Sequence, residues 1–188
     1  MTVVPARLAV KDHCPDVVAA QVLARKLAAA GMSVQVSRHR DVSELTIVGV
    51  AGGKSLLALD AGGLARWYYE PAGGPRTSPA TVTMIIAYLL GAPCGTASLA
   101  PYRALPLKGQ VGRCLQDRGL SVTLRVGEDW DSFEATTDIE LTSPARPGLG
   151  TVRLSDDAAL DWRCDLRAAF GGNPAAFIDV ITPILRSR

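Results

Sequence analysis

Gly52-Gly53-Lys54-Ser55 is the segment whose residue types come nearest to a chemical motif, since it ends as phosphate-binding loops end. Such a loop needs another glycine six residues before the lysine, so that backbone amides can wrap a phosphate, and a helix directly after it. Position 48 is Val48, and Leu56-Leu57-Ala58-Leu59 continues as a strand. The spacing therefore predicts a hairpin turn and no nucleotide site. His13 and His39 stand in different elements without a cysteine or carboxylate at ligand spacing, so no metal is expected. Asp156, Asp157, Asp161 and Asp165 could serve acid–base chemistry as a carboxylate cluster. Their place on a turn and the solvent face of a strand predicts solvated charge. None of these groups recurs at a matching place in the other half of the chain. No catalytic residue and no cofactor is expected.

Two other features suggest binding. After the first strand of each half, one hairpin tip reads Arg38-His39-Arg40 and the aligned one reads Glu128-Asp129-Trp130-Asp131. Trp130 has no core register to occupy in an acidic turn, and exposed tryptophans favour interfaces. The second feature is an apolar set in one alternating register, Val48, Val50, Leu56, Ala58 and Tyr68, with Arg66 beside it. A patch of this kind meets either another protein or the sister repeat.

The elements that must position these residues repeat. Leu27, Gly31, Ser33 and Val34 recur as Leu115, Gly119, Ser121 and Val122. At a slightly larger offset Leu59, Trp67, Pro79, Ala80, Ile86 and Leu90 recur as Leu154, Trp162, Pro174, Ala175, Ile181 and Leu185. A short insertion between Thr137 and Gly150, rich in turn residues, accounts for the difference.

Each half reads as a short strand (7–10; 103–107), then a helix ending at Gly31 or Gly119, a residue suited to a left-handed cap. Four strands follow, at 33–37, 44–50, 55–60 and 65–70, matched by 121–126, 132–137, 151–155 and 160–166. Ser78-Pro79 and Asn173-Pro174 then signal capped helix starts. Val18, Val22, Leu23 and Leu27 form the expected apolar stripe of the first helix. The fold class is α+β, a tandem duplication of a β-α-β-β-β-β-α unit with an antiparallel sheet and helices on one face, its repeats spanning 1–95 and 96–188. Alternation assigns Val34, Val36, Leu45, Ile47, Leu57, Leu59, Trp67 and Tyr69 to the core, with Val122, Leu124, Phe133, Ala135, Val152, Leu154, Trp162 and Cys164.

The 188 residues are 48% hydrophobic and 20% charged with a net charge of +2, enough for a real core and weak for a nucleic-acid binder. There is no secretory signal pattern and no apolar run of membrane-spanning length, which makes the cytoplasm the expected location and excludes a membrane partner. Cys14, Cys94, Cys114 and Cys164 are expected to be reduced and mostly buried.

The order of elements, the repeat length and the duplication resemble the saddle-shaped TATA-box-binding protein fold across nearly the whole chain, which implies a nucleic-acid-binding saddle. The run from Leu115 through Gly119, with Trp162 and Phe170-Gly171-Gly172-Asn173-Pro174, is similar to small tryptophan-containing domains of unknown function common in actinobacterial proteins; that resemblance implies no activity.

The leading expectation is a non-enzymatic protein-binding adaptor, regulatory or chaperone-like module. Its surface is Val48, Val50, Leu56, Arg66, Tyr68, Trp130, Arg38 and Arg40, and its partner is another protein or a second copy. Nucleic acid is disfavoured because Arg66, Arg125, Arg153 and Arg163 are offset by Glu134, Asp161, Asp60 and Asp165. The alternatives are the nucleic-acid saddle and an enzyme or small-ligand binder with a pocket between the repeats.

Overall fold

The structure, a computed structural model, describes residues 15–50, 52–72, 78–93, 98–129, 134–155 and 157–186. Its centre is one eight-stranded antiparallel sheet of β1 (Ser33–His39), β2 (Val42–Val48), β3 (Lys54–Asp60), β4 (Leu64–Glu70), β5 (Ser121–Asp129), β6 (Glu134–Thr142), β7 (Thr151–Leu154) and β8 (Leu160–Asp165). The strand order is β1-β2-β3-β4-β8-β7-β6-β5. Each group of four is a meander of short turns, which forces antiparallel neighbours. The two meanders join where β4 pairs with β8, with Trp67 directly opposite Trp162.

Among the described residues five α-helices pack over one face: α1 (Pro15–Ala29), α2 (Pro79–Leu89), α3 (Leu107–Gln116), α4 (Leu166–Phe170) and α5 (Pro174–Arg186). The expected caps are in place. Ser78 Oγ accepts from the Ala80 amide at 3.3 Å, and Asn173 Oδ1 accepts from Ala175 at 3.0 Å. Gly31 and Gly119 follow α1 and α3 with φ of 89° and 83°, where a Cβ would be strained.

The core lies between the sheet and the helices. Leu45, Ile47, Leu57, Leu59, Trp67, Val152, Leu154, Trp162 and Cys164 are buried in the expected register. Trp67 stacks on Tyr69 with centroids 5.1 Å apart, and Trp162 stacks on Phe177 at the same separation. Burial pushes the Cys164 thiol up to about 12, aided by Asp165, so it stays protonated and inert near neutral pH. Cys114 is also buried; Cys14 and Cys94 lie outside the described residues.

Several expectations are corrected. Residues 103–107 are not a strand: Ala100–Tyr102 is a short 3₁₀ turn, and the chain bends into Pro106 at the head of α3. Pro101 and Pro106 supply no amide to a ladder, and Tyr102 and Leu105 close local turns instead. The strand expected at 7–10 lies outside the described residues. Strand β6 runs on to Thr142, placing Ile139 and Leu141 in the core. Chain 166–170 forms α4, capped by Asp165 Oδ1, which accepts from Arg167 and Ala168.

On α1 the buried stripe is Val17, Ala20, Leu23 and Leu27, while Val18 and Val22 face outward. Val36 and Leu124 keep the core-facing register but are 42% and 64% exposed. They sit on β1 and β5, the sheet's two edges, where the helix layer ends.

Candidate functional site

The face of the sheet opposite the helices carries the side chains singled out for binding. Pairing register sets them in rows. Thr46, Leu56, Tyr68, Asp161, Arg153 and Glu140 form one row across six strands, from β2 to β6. Glu44, Ala58, Arg66, Arg163 and Thr151 form the next. Val48, opposite Lys54, flanks the first row. β-Branched and aromatic residues suit such pleated positions, so the strands form despite a bare face.

The left half of this face is apolar. Val48 is 42% exposed, Leu56 37% and Tyr68 38%. The two meanders meet edge to edge through β4 and β8, so the patch is not buried between them. Val50 is exposed in the β2–β3 turn, where its amide donates to the Leu185 carbonyl at 3.2 Å. Gly52 and Gly53 belong to that turn, closed by Gly49 N–H to Gly53 O at 2.9 Å, as the hairpin reading expects.

The centre of the face is an ionic cluster. Arg66 and Arg163 are directly opposite each other, a like-charge pairing that costs stability in a sheet. Asp161 bridges them. Arg66 Nε and Nη2 donate to its two carboxylate oxygens at 2.9 and 2.8 Å, and Arg163 Nη2 donates at 3.2 Å. Arg153 donates to Glu140 at 3.0 Å and lies 3.9 Å from Asp138. Burial drives the Asp161 carboxyl up, but the Arg66 hydrogen bonds and the charges of Arg66 and Arg163 outweigh it and hold the group below its ordinary range. Asp161 is thus a buried, paired carboxylate and not the solvated charge expected from its run of aspartates. Burial first, then the negative charges of Asp157, Glu70 and Asp161, raise the Tyr68 phenol, which therefore keeps its donor proton at neutral pH. Shallow grooves of about 270 and 220 Å³ lie on either side of Arg163, the first walled by Val42, Ala58 and Leu64, the second by Glu140, Thr151 and Arg153.

The other expected residues are elsewhere. Arg38 shares the register of Val34 and Val36, so it turns to the helix side, 3.8 Å from buried Asp16 of α1. Arg40 occupies the β1–β2 turn with φ of 54°. Neither joins the outer patch. Trp130 lies outside the described residues. Residues 1–14 hold His13; His39 is exposed at the end of β1. What sequence reading missed is that Asp161 serves two arginines at once. The signal is Arg66 and Asp161 in the outward register of the strands preceding the two proline-led helices.

Replacing Asp161 with alanine is expected to cost about 1 to 2 kcal/mol, less than a buried ion pair because both arginines are half exposed. Urea unfolding of the Arg66→Ala, Asp161→Ala double-mutant cycle measures it. The sign of the pH effect follows from the lowered carboxyl. Its contribution is fully present above about pH 4, the unfolded value, and is lost as pH falls through the lower folded value. Asp161→Asn should remove that part of the acid dependence.

No family model matches the chain, and neither the curated proteins nor the solved structures searched contain a match. No helix among the described residues is long and apolar enough to cross a membrane.

Proposed function

We propose that this chain is a non-enzymatic protein-binding module, an adaptor, regulator or chaperone-like factor, that presents the outer face of β2–β4 to another protein. The observation that supports it is the exposure of Leu56 and Tyr68 side by side, with Val48 flanking them, on a sheet face that carries no helix among the described residues. An aromatic with a polar tip beside an aliphatic floor and a rim of paired arginines has the make-up of an interface centre. Burial of such a patch contributes about 25 cal/mol per Å² before association costs.

The nucleic-acid saddle is the weaker reading. Arg66, Arg153 and Arg163 are already engaged by Asp161, Glu140 and Asp138, so few phosphates would be neutralised there. Tyr68 has Asp161 opposite it, where a minor-groove wedge would need an apolar or basic neighbour. Catalysis gains no support from Asp161, because a carboxylate held low by guanidiniums is a poor general base. Descent from a duplicated unit, with repeats at 1–95 and 96–188, belongs to the same proposal; the matching element order of the two meanders and the Trp67–Trp162 pairing support it. So does a reducing cytoplasmic setting, which suits the buried free thiols Cys114 and Cys164.

The test is affinity capture from native extract with wild type and Tyr68→Arg. Loss of a stoichiometric partner with the variant, at unchanged melting temperature, is the expected result. Capture of the same proteins by both refutes the outer face as the binding surface.

A further inference from the structure

We infer that the two edges of the sheet are complementary to each other, so that β1 of one copy pairs with β5 of a second copy and extends the antiparallel sheet from molecule to molecule. The inference is independent of the outer-face reading.

Edge strands offer unpaired amides and carbonyls, and folds usually blunt them with prolines, bulges or unpaired inward charges. Here β1 and β5 carry no proline, and their ladders with β2 and β6 run without a bulge. Arg38 is the inward charge on β1, and Asp16 already faces it. All of β1 except Val34 is exposed.

Direction and facing agree. With eight strands all antiparallel to their neighbours, β1 and β5 run in opposite directions. A second copy shifted sideways without turning over therefore sets its β1 antiparallel to β5, with both helix layers on the same side. Placing Val36 opposite Leu124 then pairs Val34 with Val126, Gln35 with Arg125 and Ser37 with Thr123. Val36 then meets Leu124 on the helix side, where Arg38, paired with Asp16, comes opposite Val122, and polar positions meet on the other. Among the described residues, Val36 and Leu124 are core-register positions of the strands that stay exposed.

Charge favours this arrangement over a β1–β1 dimer. At the end where β1 begins lie Arg25 of α1, Lys26, which is paired with Asp179 at 3.2 Å, and Arg186, which donates to the Ala30 carbonyl. The antiparallel pairing sets the Glu128–Asp129 end of β5 beside them. A β1–β1 dimer would instead bring the Arg38–Arg40 tip to Arg25 and Lys26; a β5–β5 dimer would bring the end of β5 to Asp117 together with Arg113 of α3 and Arg118, so sedimentation and not charge separates it from the proposed pairing. Pairing two different edges is heterologous, so it continues as a chain of molecules or closes as a ring.

Sedimentation over a range of concentrations tests the inference with two variants, Val36→Lys and Leu124→Lys, each placing an unpaired charge at an exposed edge position. Wild type should gain mass with concentration, and less so at high salt. Each variant alone should stay monomeric. Mixed in equal amounts they should form a dimer and nothing larger, because one retains only a working β5 edge and the other only a working β1 edge. Val36→Glu and Leu124→Glu repeat the test should a lysine variant unfold. A wild type that is monomeric throughout overturns the inference; if its β1 amides also resist hydrogen exchange, residues 1–14 of its own chain cover the edge. Assembly by either variant alone overturns it in favour of a twofold dimer.

Discussion

Trp162→Ala should destabilise the protein by about 3 to 5 kcal/mol, the upper part of what loss of a buried aromatic costs. Trp162 is fully buried, stacks on Phe177, meets Phe170 edge-on with centroids 6.2 Å apart, and donates its indole N–H to the Leu149 carbonyl at 2.7 Å. Its cross-strand partner Trp67 is equally buried, but its indole nitrogen has no hydrogen-bond partner among the described residues. Phenylalanine substitutions separate the two. Trp162→Phe leaves Leu149 O without its indole donor and should cost about 1 to 3 kcal/mol beyond the lost ring area. Trp67→Phe removes a buried donor that bonds nothing, so it should cost less. Denaturant unfolding of all three variants checks the order, and equal losses for the two phenylalanine variants would contradict the hydrogen-bond assignment.

Gly150→Ala should be the other severe change, at about 2 to 4 kcal/mol. Gly150 opens β7 with φ 72° and ψ −143°, a region that residues with a Cβ avoid. A Cβ there would overlap the Arg163 carbonyl oxygen of β8. Both atoms are backbone-fixed, so relief requires β7 to move off β8. The ladder that holds Arg153 opposite Asp161 would be disturbed with it. Thermal unfolding reads the cost; a wild-type midpoint would show that the β7–β8 approach is looser than described.

The local part of this fold was legible because its causes are local. Serine or asparagine before proline starts a helix, glycine ends one, and alternation sorts Leu57 and Trp67 from Leu56 and Tyr68 whatever the strands pair with. The pairing of β4 with β8 has no such signal, since its register is chosen by the fit of Trp67 and Trp162 beneath distant helices. Two strand errors share one cause. Asp138 and Glu140 read as the end of a strand, although they alternate with Ile139 and Leu141 and continue it. Asp165 and Leu166 read as strand, although an aspartate followed by Leu-Arg-Ala-Ala is also a helix cap. Outward register places Leu56, Arg66 and Tyr68 on the sheet face opposite the helices, where the structure has them. It also grouped Arg38 with them, because a hairpin tip looks solvent-facing from its charge alone, and Asp16 on α1 was invisible as its partner.

The account rests on Leu56 standing at the centre of a free binding face, and Leu56→Asp tests that most directly. Val48 is a poorer choice, since Lys54 opposite it would neutralise a new carboxylate. At position 56 the new charge faces Thr46 and Tyr68. Quantitative capture from native extract, with Met84→Asp on the exposed side of α2 as control, should show the stoichiometric partner retained by wild type and the control and reduced at least about tenfold by Leu56→Asp, a loss of roughly 1.4 kcal/mol or more, at unchanged melting temperature. Equal capture by all three proteins, or unfolding of Leu56→Asp, would contradict it.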